Sequence, residues 1–186
     1  MNPIIVVGPP RSGTSCIARI LQEKLGVMMD EGPISRGPEN PNGYYEDHRL
    51  LTINKIALAN WQHAAEYHKK VDREWAASFG QWVVMREIKF QKWGFKDPRM
   101  VGFLHWVFCF FKDPIWIYPV RRDEQILNSQ KRNVVADEKY LKMGLKAYKK
   151  LIAKYLGDKV HKINMRDYRS EKSLTKELIG VINGCS

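Results

Sequence analysis

Apolar positions along the chain alternate between two periods. Ile4-Ile5-Val6-Val7 is a continuous β-branched run of the kind that suits a buried central strand. Residues 8–13 then form a tight glycine loop. From Thr14 to Leu25 the spacing turns helical, with Ile17, Ile20, Leu21 and Leu25 on one face and Gly26 as a stop. Residues 30–43 are rich in Gly and Pro and read as a long loop, a feature often tied to function in compact domains. Helices are predicted over residues 47–61, 101–111, 123–133, 140–156 and 174–182. Strands are predicted over 93–96, 115–120 and 160–165. In the 140–156 helix, Leu141, Leu145, Tyr148, Ile152 and Tyr155 form a stripe, and five lysines lie largely off it. Strands alternating with crossover helices predict a three-layer α/β/α domain on a parallel sheet of about five strands.

Size adds one domain to this picture. The chain has 186 residues and 44% hydrophobic content, enough to bury a core, and six Trp argue against disorder. Cys16, Cys109 and Cys185 are odd in number and widely spaced. A disulfide framework or a zinc site is not expected, and a reducing compartment fits best. The N-terminus lacks a basic segment, and residues 101–111 are too short to cross a bilayer. The expectation is a soluble cytoplasmic protein with no membrane span. A net charge of +11 favours an anionic partner: nucleic acid, an acidic membrane or a polyanionic small molecule.

The candidate chemistry starts at Gly8-Pro9-Pro10-Arg11-Ser12-Gly13-Thr14-Ser15, between a strand and a helix. Amides at a helix N-terminus lack intrahelical partners, and the helix dipole is positive there, so the loop suits a phosphate. Ser12, Thr14 and Ser15 add hydroxyls, and Arg11 adds a guanidinium fork. The nucleotide triphosphatase pattern ends in GK[ST]; here Thr14 stands in the lysine's place, which disfavours an ATPase or kinase. The plain alternative is a structural turn.

Arg121 follows the 115–120 strand, at the strand end where open α/β sheets bind ligands. Ser129 comes eight residues later, about two helical turns on. Together they suit a second phosphate; a solvated basic helix is the alternative.

With both sites in view, the chain resembles the sulfotransferases that use 3′-phosphoadenosine 5′-phosphosulfate (PAPS). Pro10-Arg11-Ser12-Gly13-Thr14-Ser15 looks like their 5′-phosphosulfate loop, and the Arg121…Ser129 pair looks like their 3′-phosphate motif. Asn40-Pro41-Asn42-Gly43-Tyr44-Tyr45-Glu46 resembles the acceptor-side loop of bacterial and Golgi-type members. Gly94-Phe95-Lys96-Asp97-Pro98-Arg99 resembles a Lys-Asp-Pro-Arg segment of many bacterial members, and residues 162–168 match more loosely. The cytosolic branch carries lysine where Arg11 stands; arginine there is similar to the tyrosylprotein and carbohydrate branches. The aspartate-proline after the 3′-phosphate arginine is only partly kept, as Arg122-Asp123-Glu124.

The resemblance implies transfer of a sulfuryl group from PAPS, without a metal, to a hydroxyl or amine of a carbohydrate or other small molecule. Pro10 to Ser15, Arg121 and Ser129 would bind the nucleotide. Arg11 would stabilise the leaving group. Glu46 is the first candidate for the base, and His48 the second, since imidazoles titrate near neutrality. Glu46 could instead be a helix N-terminal acid, and His48 a surface residue. Tyr45, Lys96, Asp97 and Arg99 complete the expected acceptor site, with Asp97 orienting its neighbours by pairing. Tyr44, Trp61, Trp75 and Trp82 could stack on an acceptor or belong to the core. The rival functions are a P-loop nucleotide or small-molecule kinase and a basic nucleic-acid-binding module.

Overall fold

The computed structural model describes residues 2–32, 36–38, 40–58, 73–132, 137–165 and 170–184. Four strands make one sheet: β1 (Ile4–Val6), β2 (Gly94–Lys96), β3 (Ile115–Val120) and β4 (Val160–Asn164). All pairings are parallel, in the order β2-β1-β3-β4, with Ile5 opposite Phe95 on one side and Trp116 on the other. The expected α/β/α architecture is present, with four strands among the described residues rather than about five. Beyond β2 the pairing shrinks to a single parallel bridge between Met28 and Trp93. The next two amides, Met29 and Asp30, donate to the Gln22 side chain at 3.1 and 2.8 Å, so the chain turns away before a ladder forms.

Pleating sends alternate β1 side chains to opposite faces. Ile5 and Val7 join a core with α2 (His48–Leu58), α3 (Arg73–Lys89), α4 (Leu104–Phe110) and α6 (Glu138–Tyr155). Ile4 and Val6 join a second core with α1 (Thr14–Leu25) and α7 (Glu171–Gly184). A small apolar contact through Ile126, Leu127 and Leu145 seats α5 (Asp123–Lys131) on α6. Among the described residues, no helix is long and apolar enough to cross a membrane.

α1 has the bounds its periodicity predicts, ended by Gly26 in the left-handed region (φ +66°). Two helical readings need correction. The apolar run 101–111 is not one helix: a 3-10 segment, Pro98–Phe103, precedes α4. Asp97 starts it by accepting the Arg99 amide at 2.9 Å, and Pro98 pre-sets the first turn. α3 went unrecognised. It buries Trp75, Phe79, Trp82, Val83 and Arg86 but leaves Val84, Met85 and Ile88 exposed, so apolar residues surround it and no stripe stands out.

Candidate functional site

All four parallel strands end on the same edge of the sheet. The order reverses between β1 and β3, the place where open α/β sheets hold ligands. The β1 loop and Arg121, just past β3, both emerge there.

Backbone conformation shapes the loop. Arg11 (φ +72°) and Gly13 (φ +112°) are both left-handed. Alternating left- and right-handed residues curl successive amides toward one side, the geometry of an anion nest. At Gly8 an added Cβ would lie 2.8 Å from Ser12 Oγ, so a side chain there would displace the buried hydroxyl. Ser12 N–H donates to Pro9 O at 3.1 Å. The Ser12 hydroxyl is fully buried with no hydrogen-bond partner among the described residues, a donor kept beneath the loop.

Arg121 and Ser129 both reach this loop. An Arg121 Nη donates to Arg11 O at 3.0 Å, and Arg11 Nε donates to Ser129 Oγ at 2.9 Å. Gln130 Nε2 donates to Pro10 O at 3.0 Å, a tether the motif did not include. Arg11, Gly13, Thr14, Ser15 and Arg121, with Cys16 and Asn40, line a cleft of about 170 Å³. Among the described residues its lining brings two arginines and no carboxylate.

A larger cavity of about 470 Å³ adjoins the loop at Pro10. Glu46, Arg99, Tyr44 and Tyr148 line it. Glu46 accepts Lys96 Nζ at 2.6 Å on one oxygen and an Arg99 Nη at 3.1 Å on the other. Asp97, behind them, accepts Arg99 Nε at 3.3 Å and Asn54 Nδ2 at 2.9 Å; Asn54 in turn accepts Trp75 Nε1 at 2.9 Å. Burial depresses the Lys96 ammonium pKa, against the pull of Glu46. Burial raises the Asp97 carboxyl, with Arg99 opposing. Lys96 is 2% exposed and committed to Glu46, so it orients that carboxylate rather than offering a surface cation.

The remaining candidates lie elsewhere. Tyr45 does not reach the cavity: it is 1% exposed in the α1-side core, and its hydroxyl donates to Glu23. A left-handed backbone at Tyr45 (φ +54°) turns its ring inward, and its neighbour Tyr44 lines the cavity instead. His48 opens α2, exposed, and lines a separate cavity with Asp30, Asp47 and Arg49. Trp75 and Trp82 belong to the core, and Trp61 lies outside the described residues. So do residues 166–168 of the looser match. Tyr148 and Lys55, which also line the cavity, carry no motif signal; only the amphipathic stripe pointed to Tyr148, as a core residue. Among the described residues, no group of three or more His, Cys, Asp or Glu gathers as a metal site.

Sheet order, loop and helix layers define a P-loop NTPase-like α/β protein. A sulfotransferase domain from the curacin biosynthetic pathway superposes with a TM-score of 0.60 at 15% identity, over 98% of this chain and 74% of that one. Deoxyadenosine kinase from M. mycoides with bound dATP superposes with a TM-score of 0.57 at 12% identity, over 97% and 99%. The same kinase with dCMP and dCDP gives 0.51 at 11%, over 98% and 99%. At such identities the likeness establishes the fold. No family model and no curated protein matches the sequence.

Proposed function

We propose that this chain is a sulfotransferase that moves a sulfuryl group from PAPS to a hydroxyl or amine acceptor and releases adenosine 3′,5′-bisphosphate. The observation that carries the reading is the meeting of Arg11, Arg121 and Ser129 at a glycine loop whose lysine position is Thr14. The cleft's two arginines, the absence of a carboxylate among its described lining residues and the Ser12 hydroxyl without a described partner fit an anionic group at the loop.

In this reading the loop amides, Ser12, Thr14, Ser15 and Arg11 hold the 5′-phosphosulfate. Arg121 and Ser129 hold the 3′-phosphate. The acceptor sits in the cavity beside Pro10. Its oxygen forms a bond to sulfur while the sulfur–oxygen bond to the 5′-phosphate breaks, and that electron pair leaves on the phosphate. The acceptor proton passes to Glu46, whose carboxylate Lys96 and Arg99 hold in place. Arg11 offsets charge on the leaving phosphate, where preorganised donors contribute most. His48 lines a different cavity, so the reading gives the base role to Glu46.

The deoxyadenosine kinase likeness favours a second reading, a nucleoside or small-molecule kinase. It lacks the loop lysine that bridges β- and γ-phosphates. Titration calorimetry separates the two. Adenosine 3′,5′-bisphosphate is expected to bind at least tenfold more tightly than ATP; the reverse order would give the chain to the kinases. Arg11→Ala is expected to lower PAPS-dependent turnover by about 10²–10³ with the thermal midpoint little changed. Near-normal turnover by the folded variant would remove Arg11 from the mechanism.

A further inference from the structure

Tyr148, in the middle of α6, has its ring in the main core and is 8% exposed. Its hydroxyl is buried and has no hydrogen-bond partner among the described residues, yet the residue lines the large cavity with Glu46 and Arg99. An unpaired buried hydroxyl costs about 1–3 kcal/mol, and folded proteins keep few. Trp106 and Trp116 also bury unpaired N–H groups, but neither lines this cavity. Burial pushes the phenol pKa well above 10, with Asp97 adding to the shift, so Tyr148 is a neutral donor at working pH.

The rest of the cavity supplies the complement. Pro10, Leu51 and Pro98 give it apolar wall. Arg99 is already engaged by Glu46 and Asp97. Lys55, one turn after Leu51 on α2, is exposed and makes no ion pair among the described residues. The cavity wall therefore combines a tyrosine whose buried hydroxyl has no partner among the described residues, a carboxylate, an apolar middle and a lysine with no ion pair among the described residues. Its volume of about 470 Å³ suits a small ligand.

We infer that the acceptor is a small hydroxylated carboxylic acid with an apolar body, its reacting hydroxyl held by the Tyr148 phenol beside Glu46 and its acid group paired with Lys55. The inference rests on the sulfotransferase reading. A phenol that donates to one lone pair of the acceptor oxygen, with Glu46 taking that oxygen's proton, leaves the other lone pair for sulfur. Tyr148 thereby fixes the attack direction, and near-attack geometry dominates such transfers.

The test uses 4-hydroxyphenylacetate and its neutral analogue 4-hydroxyphenylacetamide as acceptors with PAPS. The wild type is expected to favour the acid by about two- to fivefold in kcat/KM, the range for an exposed ion pair, and Lys55→Met should erase that preference. Tyr148→Phe should lower kcat/KM for the acid about tenfold, leave the affinity for adenosine 3′,5′-bisphosphate unchanged, and keep or raise the thermal midpoint, because no partner among the described residues loses a hydrogen bond. A Tyr148→Phe midpoint lower by more than about 2 °C would assign the hydroxyl a structural partner and overturn its role. Equal use of the two acceptors, or use of neither by a protein that binds the bisphosphate, overturns the acceptor class alone. A wild type that ignores the bisphosphate overturns the sulfotransferase reading and this inference with it.

Discussion

Arg11 has a left-handed backbone, which L-residues avoid because Cβ crowds the following carbonyl, at a cost of about 1–2 kcal/mol. Three contacts hold the loop that way: Arg121 on the Arg11 carbonyl, Ser129 on its guanidinium, and Gln130 on the Pro10 carbonyl. Charge and its place in the glycine loop single out Arg11 in the sequence; its strain depends on residues more than a hundred positions away. Tyr44 and Tyr45 teach the same lesson. Both belong to the quoted motif, and a local φ of +54° at Tyr45 decides which ring enters the core. Gly94 also depends on a distant neighbour. A Cβ there would sit 2.2 Å from the Ile4 carbonyl oxygen, which is backbone and cannot swing aside. Gly94→Ala is therefore expected to cost about 1–3 kcal/mol in urea unfolding, by overpacking between β1 and β2. An unchanged midpoint would mean that the strands separate freely.

Among the elements, α3 does most to support the wall of the large cavity, and it was the least legible. Its Trp75 supports Asn54 and, through it, Asp97. Its Arg86 is 1% exposed and bridges three segments: Asp47 and Glu31 at 3.2 Å each, and the carbonyls of Met28 and Gly94. Trp82, Phe90 and Trp93 lie against the guanidinium. A charged residue in a helix ordinarily marks a solvated face, so this role has no local signature. Arg86→Met would leave the Asp47 and Glu31 carboxylates without their shared cation. The expected loss is about 3–5 kcal/mol of unfolding free energy, the range for breaking a buried pair. A loss under about 1 kcal/mol would show that water or Lys89 takes over. By contrast, α1, β3 and α6 stand close to their periodic patterns, because each buries one continuous face.

At the scale of the molecule, the two layers are held on the sheet by apolar contact, and ion pairs join neighbouring helices within a layer. Arg19 of α1 pairs with Glu171 at the start of α7, and Lys24 adds a longer contact at 3.7 Å. The hydrogen bond from Arg19 holds the Glu171 carboxyl below its ordinary value of 4.5. Above that pH both folded and unfolded chains carry the ionised group, and its contribution is complete. As pH falls through 4.5 the unfolded chain takes up the proton first, and the contribution fades toward the lower folded value. Thermal midpoints of Glu171→Gln and wild type should therefore converge on acidification; parallel curves would deny the linkage. By itself the sequence determined the alternation of strands and helices, the glycine loop between β1 and α1 and the charges near it, because these rest on neighbours within a turn or two. Only the tertiary structure decided the strand order, the reduction of a fifth strand to one bridge, the burial of Tyr45 and Lys96, and the cavity shared by Glu46, Tyr148 and Lys55. Those depend on which faces meet across the sheet, and contacts between residues far apart in the chain leave no period in it.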